Sequence, residues 1–406
     1  MLLFIKDNLR WLAAGFLLTL FSSFGQTFFI GLSGTELRAR FDLTEGQFGL
    51  LYMAATLASA LTLPWLGRSI DRMPGWRVAR FTMPALAGAC LLMAFAPHVA
   101  VLFLAIWMLR LFGQGMMTHI ALTETGRWFA ASRGRAVSLV VPGHQAGEAL
   151  LPLSFVLVSA ALGWRASWIV AAAVILVVAL PAIVALMRVE RTPQNTPALI
   201  SVEDTDRHWT RGEVLRDPVF YILLAGVLAP PFIGTTIFFH QGHLAELRGY
   251  STLAFAGAFP LMAATTVGFG LICGHLVDRF GAARVLPFFL LPLITATLGA
   301  AMLSGHSGVY IFMFLFGISY GFTSTLLGAL WPEVYGTRHL GSIRAVIVSA
   351  MVLATALGPG VSGMLIDRGV NLPVQLLVMS AWCVIGSLLL GLASLKILRR
   401  HAIAAE

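Results

Sequence analysis

Gly274-His275-Leu276-Val277-Asp278-Arg279-Phe280-Gly281-Ala282-Ala283-Arg284 stands between two long apolar runs, and Gly67, Asp71, Arg72, Gly75 and Arg77 stand in the same order between two others, about half the chain earlier. Glycine and charge between apolar runs mark a turn. Its return after half the chain marks a fold built twice. A second pair agrees: Arg133-Gly134-Arg135-Ala136-Val137 precedes the fifth run and Ser342-Ile343-Arg344-Ala345-Val346 the eleventh, while Gly115 in the fourth run answers Gly321 in the tenth.

Working outward from these turns, the apolar runs fall at about 11–34, 47–66, 79–97, 101–125, 137–161 and 166–187, then at about 217–241, 252–273, 283–304, 308–331, 345–365 and 374–395. The chain has 406 residues, 58% hydrophobic and 11% charged, which excludes an ordinary soluble domain. A hydrocarbon core roughly 30 Å thick takes about 20 apolar residues per helix, so twelve spans use roughly 240. The runs are continuous rather than alternating, which selects helices over a barrel. The expected fold is an all-α membrane protein of twelve transmembrane helices, arranged as two pseudo-symmetric six-helix bundles. Residues 1–187 form the first bundle, 188–216 a polar cytoplasmic linker with most of the clustered acids, and 217–406 the second bundle. The first run, from Trp11 to Gly34, exceeds the about 7–15 residues of a signal-peptide core and lacks an Ala-x-Ala-like cleavage site, so it reads as a retained helix.

The net charge of +9 sits in short loops. Arg68, Arg72, Arg77, Arg80, Arg133, Arg135, Arg279, Arg284, Arg338 and Arg344 fall on one side, while the other holds Arg38, Arg40, Arg165, Arg248 and Arg368. The bias places both termini in the cytoplasm of a multi-pass protein of the plasma membrane, or of the cell inner membrane if the source is Gram-negative. No soluble domain is left to bind nucleic acid. Cys90, Cys273 and Cys383 lie inside apolar runs without CxxC spacing, so neither a disulfide frame nor a metal site is expected.

Gly67-x-x-x-Asp71-Arg72 and the Gly274–Arg284 stretch resemble the loop motif of the major facilitator superfamily, written GxLaDrxGxRR. The first copy departs by an inserted residue, Met73 and Pro74 preceding Gly75, and by Trp76 where a basic residue is usual. Arg110-Leu111-Phe112-Gly113-Gln114-Gly115 looks like the family's fourth-helix element. Arg127-Trp128-Phe129 through Arg135-Ala136 resembles the following loop, and Gly163-Trp164-Arg165 the turn between helices five and six. The resemblance covers nearly the whole chain. It implies a secondary transporter that rocks two halves about a site near the bilayer midplane, with no cofactor. Its partners would be a small-molecule substrate, protons and membrane lipid, and it would act as a monomer. It also implies a conformational latch at Gly67, Asp71, Arg72, Gly274, Asp278 and Arg279. An aspartate there can accept hydrogen bonds from neighbouring arginines and face a helix N-terminus; alternatively these acids merely balance the topology arginines.

Ionisable groups within the hydrocarbon cost about 2.5–3.5 kcal/mol each on insertion scales, so each is a functional candidate. Arg110 and His119 lie in the fourth run, His144 and Glu148 in the fifth. Arg110 and Glu148 fall at similar depth and could pair; His144 and Glu148, four apart, share a face. A carboxyl moving between dry and wet surroundings can carry a proton, so Glu148 is read as a coupling site and Arg110 as its partner or an anion's. The alternative is a static pair fixing two helices. Gln26, Tyr320 and Ser324 are further polar candidates, although membrane serines and threonines also bond their own backbone. His240 and His243 lack a third ligand, so no metal is expected.

The sequence shows no HExxH, no phosphate-binding loop and no triad, and Gly317-Ile318-Ser319-Tyr320-Gly321 lies inside an apolar run rather than on an elbow. An enzyme is not expected. A membrane-embedded sensor would need an output domain. The favoured substrate is a small organic anion such as a monocarboxylate, moved with protons. The alternative is export of hydrophobic compounds by proton antiport, weakened because the Gly-Pro pair of exporters falls at Gly358-Pro359 in the eleventh run rather than in the fifth.

Overall fold

In lipid, backbone N–H and C=O groups must be satisfied within the segment, so long apolar runs become helices. The computed structural model describes residues 2–129, 132–189, 209–336 and 338–405. Eleven of its helices are long and apolar enough to cross a membrane, and a bent pair makes a twelfth if it counts as one span. We label them α1 (Leu3–Gly25 with Thr27–Phe41), α2 (Glu45–Arg72), α3 (Gly75–Phe95), α4 (Val99–Trp128), α5 (Arg133–Leu162), α6 (Trp164–Met187), α7 (Pro218–Phe239), α8 (Thr252–Phe280), α9 (Ala282–Met302), α10 (Gly305–Tyr335), α11 (Leu340–Asp367) and α12 (Leu372–Arg400). The protein is a multi-pass integral membrane protein. Its chain divides into two compact units, Met1–Ile200 and Ser201–Glu406, which hold α1–α6 and α7–α12. Most of the expected linker, residues 190–208, lies outside the described residues.

One element departs from the sequence reading. The first run, expected as an unbroken helix over 11–34, is two segments meeting at 44°. A 3₁₀ turn, Ser22–Gly25, ends the first segment, and Gln26 is extended at φ −83°, ψ 154°. The cause is local: Ser22 gives its hydroxyl to the Thr19 carbonyl at 2.7 Å, and serine and glycine weaken the helix where a 3₁₀ turn tightens it.

In the first unit, α5 lies on α1 through glycines. A Cβ at Gly143 would strike the Phe16 carbonyl and the Thr19 hydroxyl, and one at Gly147 the Ser23 hydroxyl and, at 2.6 Å, the Leu20 carbonyl oxygen. Nearby, Phe29, Phe155 and Trp168 meet edge to face with centroids 5.1–5.7 Å apart, and the Trp168 indole donates to Ser33 at 3.1 Å. In the second unit, α10 seats Gly317 and Gly321 on α8, where a Cβ on Gly321 would lie 2.6 Å from the Thr266 carbonyl oxygen. The small residues spaced by four thus serve close helix packing.

The second unit is fastened at the entry to α7. Asp217 caps α7 by accepting the Val219 N–H at 3.1 Å, and it accepts both Arg400 amino groups at 2.8 and 2.9 Å and the Tyr335 hydroxyl at 3.2 Å. Arg400 also lies 5.4 Å over the Trp209 ring, which packs edge-on against Tyr335. Burial pushes the Asp217 carboxyl up, but Arg400, the Val219 amide and Tyr335 together hold it below its ordinary value of 3.8.

A carboxyl with a depressed folded pKa contributes its stability in full above its unfolded value and loses it as pH falls through the folded one. Asp217→Asn is therefore expected to destabilise the purified protein by about 1–3 kcal/mol at neutral pH. The lower half of that range is favoured, because Arg400 is 39% exposed. Thermal unfolding in detergent should show the variant and the parent converging only as the pH drops below 3.8.

Candidate functional site

The break in α1 rests on a matching irregularity in α4. Leu109–Met117 forms a π-helical stretch, a widened turn that turns side chains and carbonyls out of α-helical register. Gly25 and Gly113 meet there with no room for a side chain: a Cβ on Gly113 would lie 2.7 Å from the Gly25 Cα, and one on Gly25 would strike the Leu109 carbonyl. That approach delivers Arg110, 2% exposed, to the end of the first α1 segment. Its Nη1 donates to the Gly25 carbonyl at 3.3 Å and to the Thr27 hydroxyl at 3.4 Å. The guanidinium carbon lies 5.5 Å over the Tyr52 ring of α2, and the Tyr52 and Thr27 hydroxyls are 2.6 Å apart. Sequence reading missed Tyr52 and Thr27, since neither carries charge; the signal available was their polarity within apolar runs.

Glu148 lies in α5, one residue beyond Gly147, and is 2% exposed. Among the described residues it makes no hydrogen bond and no ion pair, so the pairing with Arg110 considered from depth is not formed. The Ser23 hydroxyl, which lies against the adjacent Gly147, is buried and unpartnered. His144 is half-buried with its ring 6.1 Å from Phe28, and Gln26 is half-buried at the break itself. Arg110, Gln26, His144 and Glu148 therefore all gather around the interrupted middle of α1.

His119 is elsewhere. Its Nε2 lies 3.3 Å from the Gly67 carbonyl, which ties it to the loop motif instead. In that motif Asp71 pairs at 2.7 Å with Arg127 of α4, which also donates to the Ile70 carbonyl at 2.7 Å and to Glu124 at 3.3 Å. A cavity of about 390 Å³ opens beside them, lined by Arg72, Trp76, Glu124, Arg127, Trp128 and Met187. In the second copy Asp278 and Arg279 are exposed, Arg279 lying 5.3 Å over Phe280. The carboxylate that meets a helix start there is Glu333, which accepts the Ala282 and Ala283 amides at 2.6 and 2.9 Å. Gly274 sits near the Thr325 methyl, 3.7 Å from where its Cβ would be. Glu333 was legible only as a rare acid near the end of an apolar run.

In the second unit, Tyr320 places its hydroxyl against Gly234 of α7 and its ring 4.8 Å from Phe316. Ser324 gives its hydroxyl to the Gly321 carbonyl at 3.1 Å and Thr323 to that of Ser319 at 2.7 Å, so both are engaged by their own helix. His240, 2% exposed, bonds the Pro359 carbonyl at 3.0 Å. Among the described residues no group of three or more His, Cys, Asp or Glu is placed to hold a metal.

Residues 15–359 match the family described as Major Facilitator Superfamily. A Bacillus subtilis (strain 168) protein described as an uncharacterized MFS-type transporter, YcxA, is 25% identical over 318 residues, 75% of either chain. Human monocarboxylate transporter 11 is 24% identical over 368 residues, 85% of this chain and 74% of that one. A bacterial homolog of the human lysosomal transporter Spinster, solved in an inward-facing, unoccupied conformation, has the same fold. It aligns at TM-score 0.74 and 16% identity over 96% of this chain and 97% of that one.

The glycine contacts give a paired test. Gly147→Ala should lower stability by about 1–3 kcal/mol, because a backbone carbonyl occupies the space. Gly134→Ala, where nothing lies within 4 Å of the new Cβ, should be neutral or stabilising by up to about 1 kcal/mol. Thermal unfolding of the two variants, each against the parent, reads both.

Proposed function

The chain belongs to the Major Facilitator Superfamily, and on that premise we propose that it is a proton-coupled carrier for a small organic anion such as a monocarboxylate. It is a transporter of small-molecule substrates rather than an enzyme. The observation that carries the finer reading is that Arg110 and Glu148, two buried ionisable side chains around the break of α1, have no ion-pair partner among the described residues. Leaving an unpaired charge in the hydrocarbon is costly, and a fold keeps such groups when their partners come and go. A visiting anion is such a partner for Arg110, and a proton is one for Glu148. His144, one turn before Glu148 on the same face, lines the proton's approach, and Gln26 borders the substrate. Tyr320 and Ser324 remain candidates for substrate contact in the second unit, Tyr320 the stronger because the Ser324 hydroxyl is already engaged. The kinship with a protein named for monocarboxylates supports the anion.

The carrier works by alternating access, with the bundles at 1–187 and 217–406 as its moving bodies and both termini in the cytoplasm. It sits in the plasma membrane as a monomer. The loop motif acts as the latch. Asp71 is held by Arg127 and backed by His119 at Gly67, with Arg72 free for an anionic partner, while Gly274, Asp278 and Arg279 form its counterpart.

The test is proton movement in proteoliposomes of the purified protein as organic anions and cationic drugs are added in turn. An accepted carboxylate should alkalinise the outside as protons enter with it. Glu148→Gln should remove the pH dependence of uptake, and Arg110→Ala should reduce uptake by at least about tenfold. Proton flow in the opposite sense, driven only by hydrophobic compounds, would establish the antiport exporter instead; unchanged pH dependence in Glu148→Gln would remove Glu148 from coupling.

A further inference from the structure

Which edge of a buried guanidinium is occupied decides what it can still bind. Arg110 commits its Nη1 to the Gly25 carbonyl and the Thr27 hydroxyl, at 3.3 and 3.4 Å. Its Nε is buried and makes no hydrogen bond, and Nη2 makes none among the described residues either. Nε–H and one Nη2–H point the same way and form a fork whose spacing matches two oxygens of one planar anion. The free edge is therefore the one suited to a carboxylate.

The orientation is set by neighbours. Tyr52 is fully buried with its ring under the guanidinium, and its hydroxyl holds Thr27 at 2.6 Å. The ring fixes the plane of the cation and the hydroxyl pair fixes which end is bound. Without Thr27, rotation about the Cδ–Nε bond no longer has a preferred end, and the fork loses its fixed direction. We infer that Tyr52 and Thr27 are positioning residues: they hold the Nη1 end of Arg110 on the break of α1 and so present the Nε–Nη2 edge as a side-on receptor for a carboxylate. This rests on the reading of Arg110 as the anion site. Because the same guanidinium holds the Gly25 carbonyl, a carboxylate on its fork competes for that charge, and binding is felt at the 44° bend.

The experiment measures binding of benzoate, benzenesulfonate and benzamide, and of butyrate with propane-1-sulfonate, to the full-length purified protein by calorimetry. The carboxylates are expected to bind about tenfold tighter than their sulfonates, since the more basic carboxylate oxygens gain more from each of the fork's two charge-assisted hydrogen bonds. Arg110→Lys, which keeps the charge but replaces the two fixed donors by a point charge, should reduce that ratio severalfold. Tyr52→Phe and Thr27→Val should bring it toward one, and Thr27→Ser, which keeps the hydroxyl, should restore it. A merely structural role would weaken both anions alike and leave the ratio intact. Carboxylate binding with an unchanged ratio in Arg110→Lys or Tyr52→Phe would overturn this inference and leave the anion reading standing. If hydrophobic cations bind and no carboxylate does, the anion reading falls and takes this inference with it.

Discussion

The contact of Gly25 with Gly113 is the constraint on which the first unit's chemistry depends. Two backbones can approach this closely only where neither carries a side chain, and each is irregular at the point of contact: α1 stops in a 3₁₀ turn, and α4 widens into a π-helical stretch. Each irregularity leaves backbone groups out of helical register. Arg110 satisfies one of them, the Gly25 carbonyl, with a charge that would otherwise be expensive in the hydrocarbon. The glycines, the broken helix and the buried arginine thus form one arrangement. A larger residue at either glycine would separate the helices and strand the guanidinium.

The fold was legible because lipid makes few demands and makes them over long stretches. Twenty apolar residues between charged turns can be little other than a spanning helix, and the repeated Gly-Asp-Arg turn gave the two-fold construction before any geometry was known. The break at Gln26 was not legible, since Phe24, Phe28, Phe29 and Ile30 keep the run apolar straight through it. Hydropathy records what surrounds a segment, not where its backbone departs from a helix. The same limit hid Tyr52 and Thr27, which matter here through their hydroxyls and one ring face. Depth alone also suggested an Arg110–Glu148 pair, whereas helix rotation decides who meets whom, and rotation turned Arg110 to the end of α1 instead.

His119 shows the opposite lesson. It is an ionisable residue in an apolar run like the midplane candidates, but two and a half helical turns separate it from Arg110, and its bond is to the Gly67 carbonyl. A histidine there stiffens the glycine turn that precedes Asp71. The loop motif consequently draws on α4 twice, through His119 at its start and Arg127 at its acid. The sequence pattern named the turn; the partner that makes it rigid came from a helix some fifty residues away, beyond the reach of any local motif.

The two units share a construction but not a chemistry. Taking Gly115 to answer Gly321, the position of Arg110 is held in the second unit by Phe316, fully buried among Phe238, Phe312 and Tyr320. Taking Arg135 to answer Arg344, the position of Glu148 is held by Leu357, and those of Gly143 and Gly147 by Val352 and Ala356. Duplication preserved the turns and the length of the helices while charge stayed on one side. In the first unit the desolvated cation is held at a fixed angle by the Gly25–Gly113 junction, a position that needs a rigid backbone contact. In the second unit the corresponding place is filled by aromatic rings, which pack edge to face or tilted without directional bonds, so the same helix turn needs no such junction there.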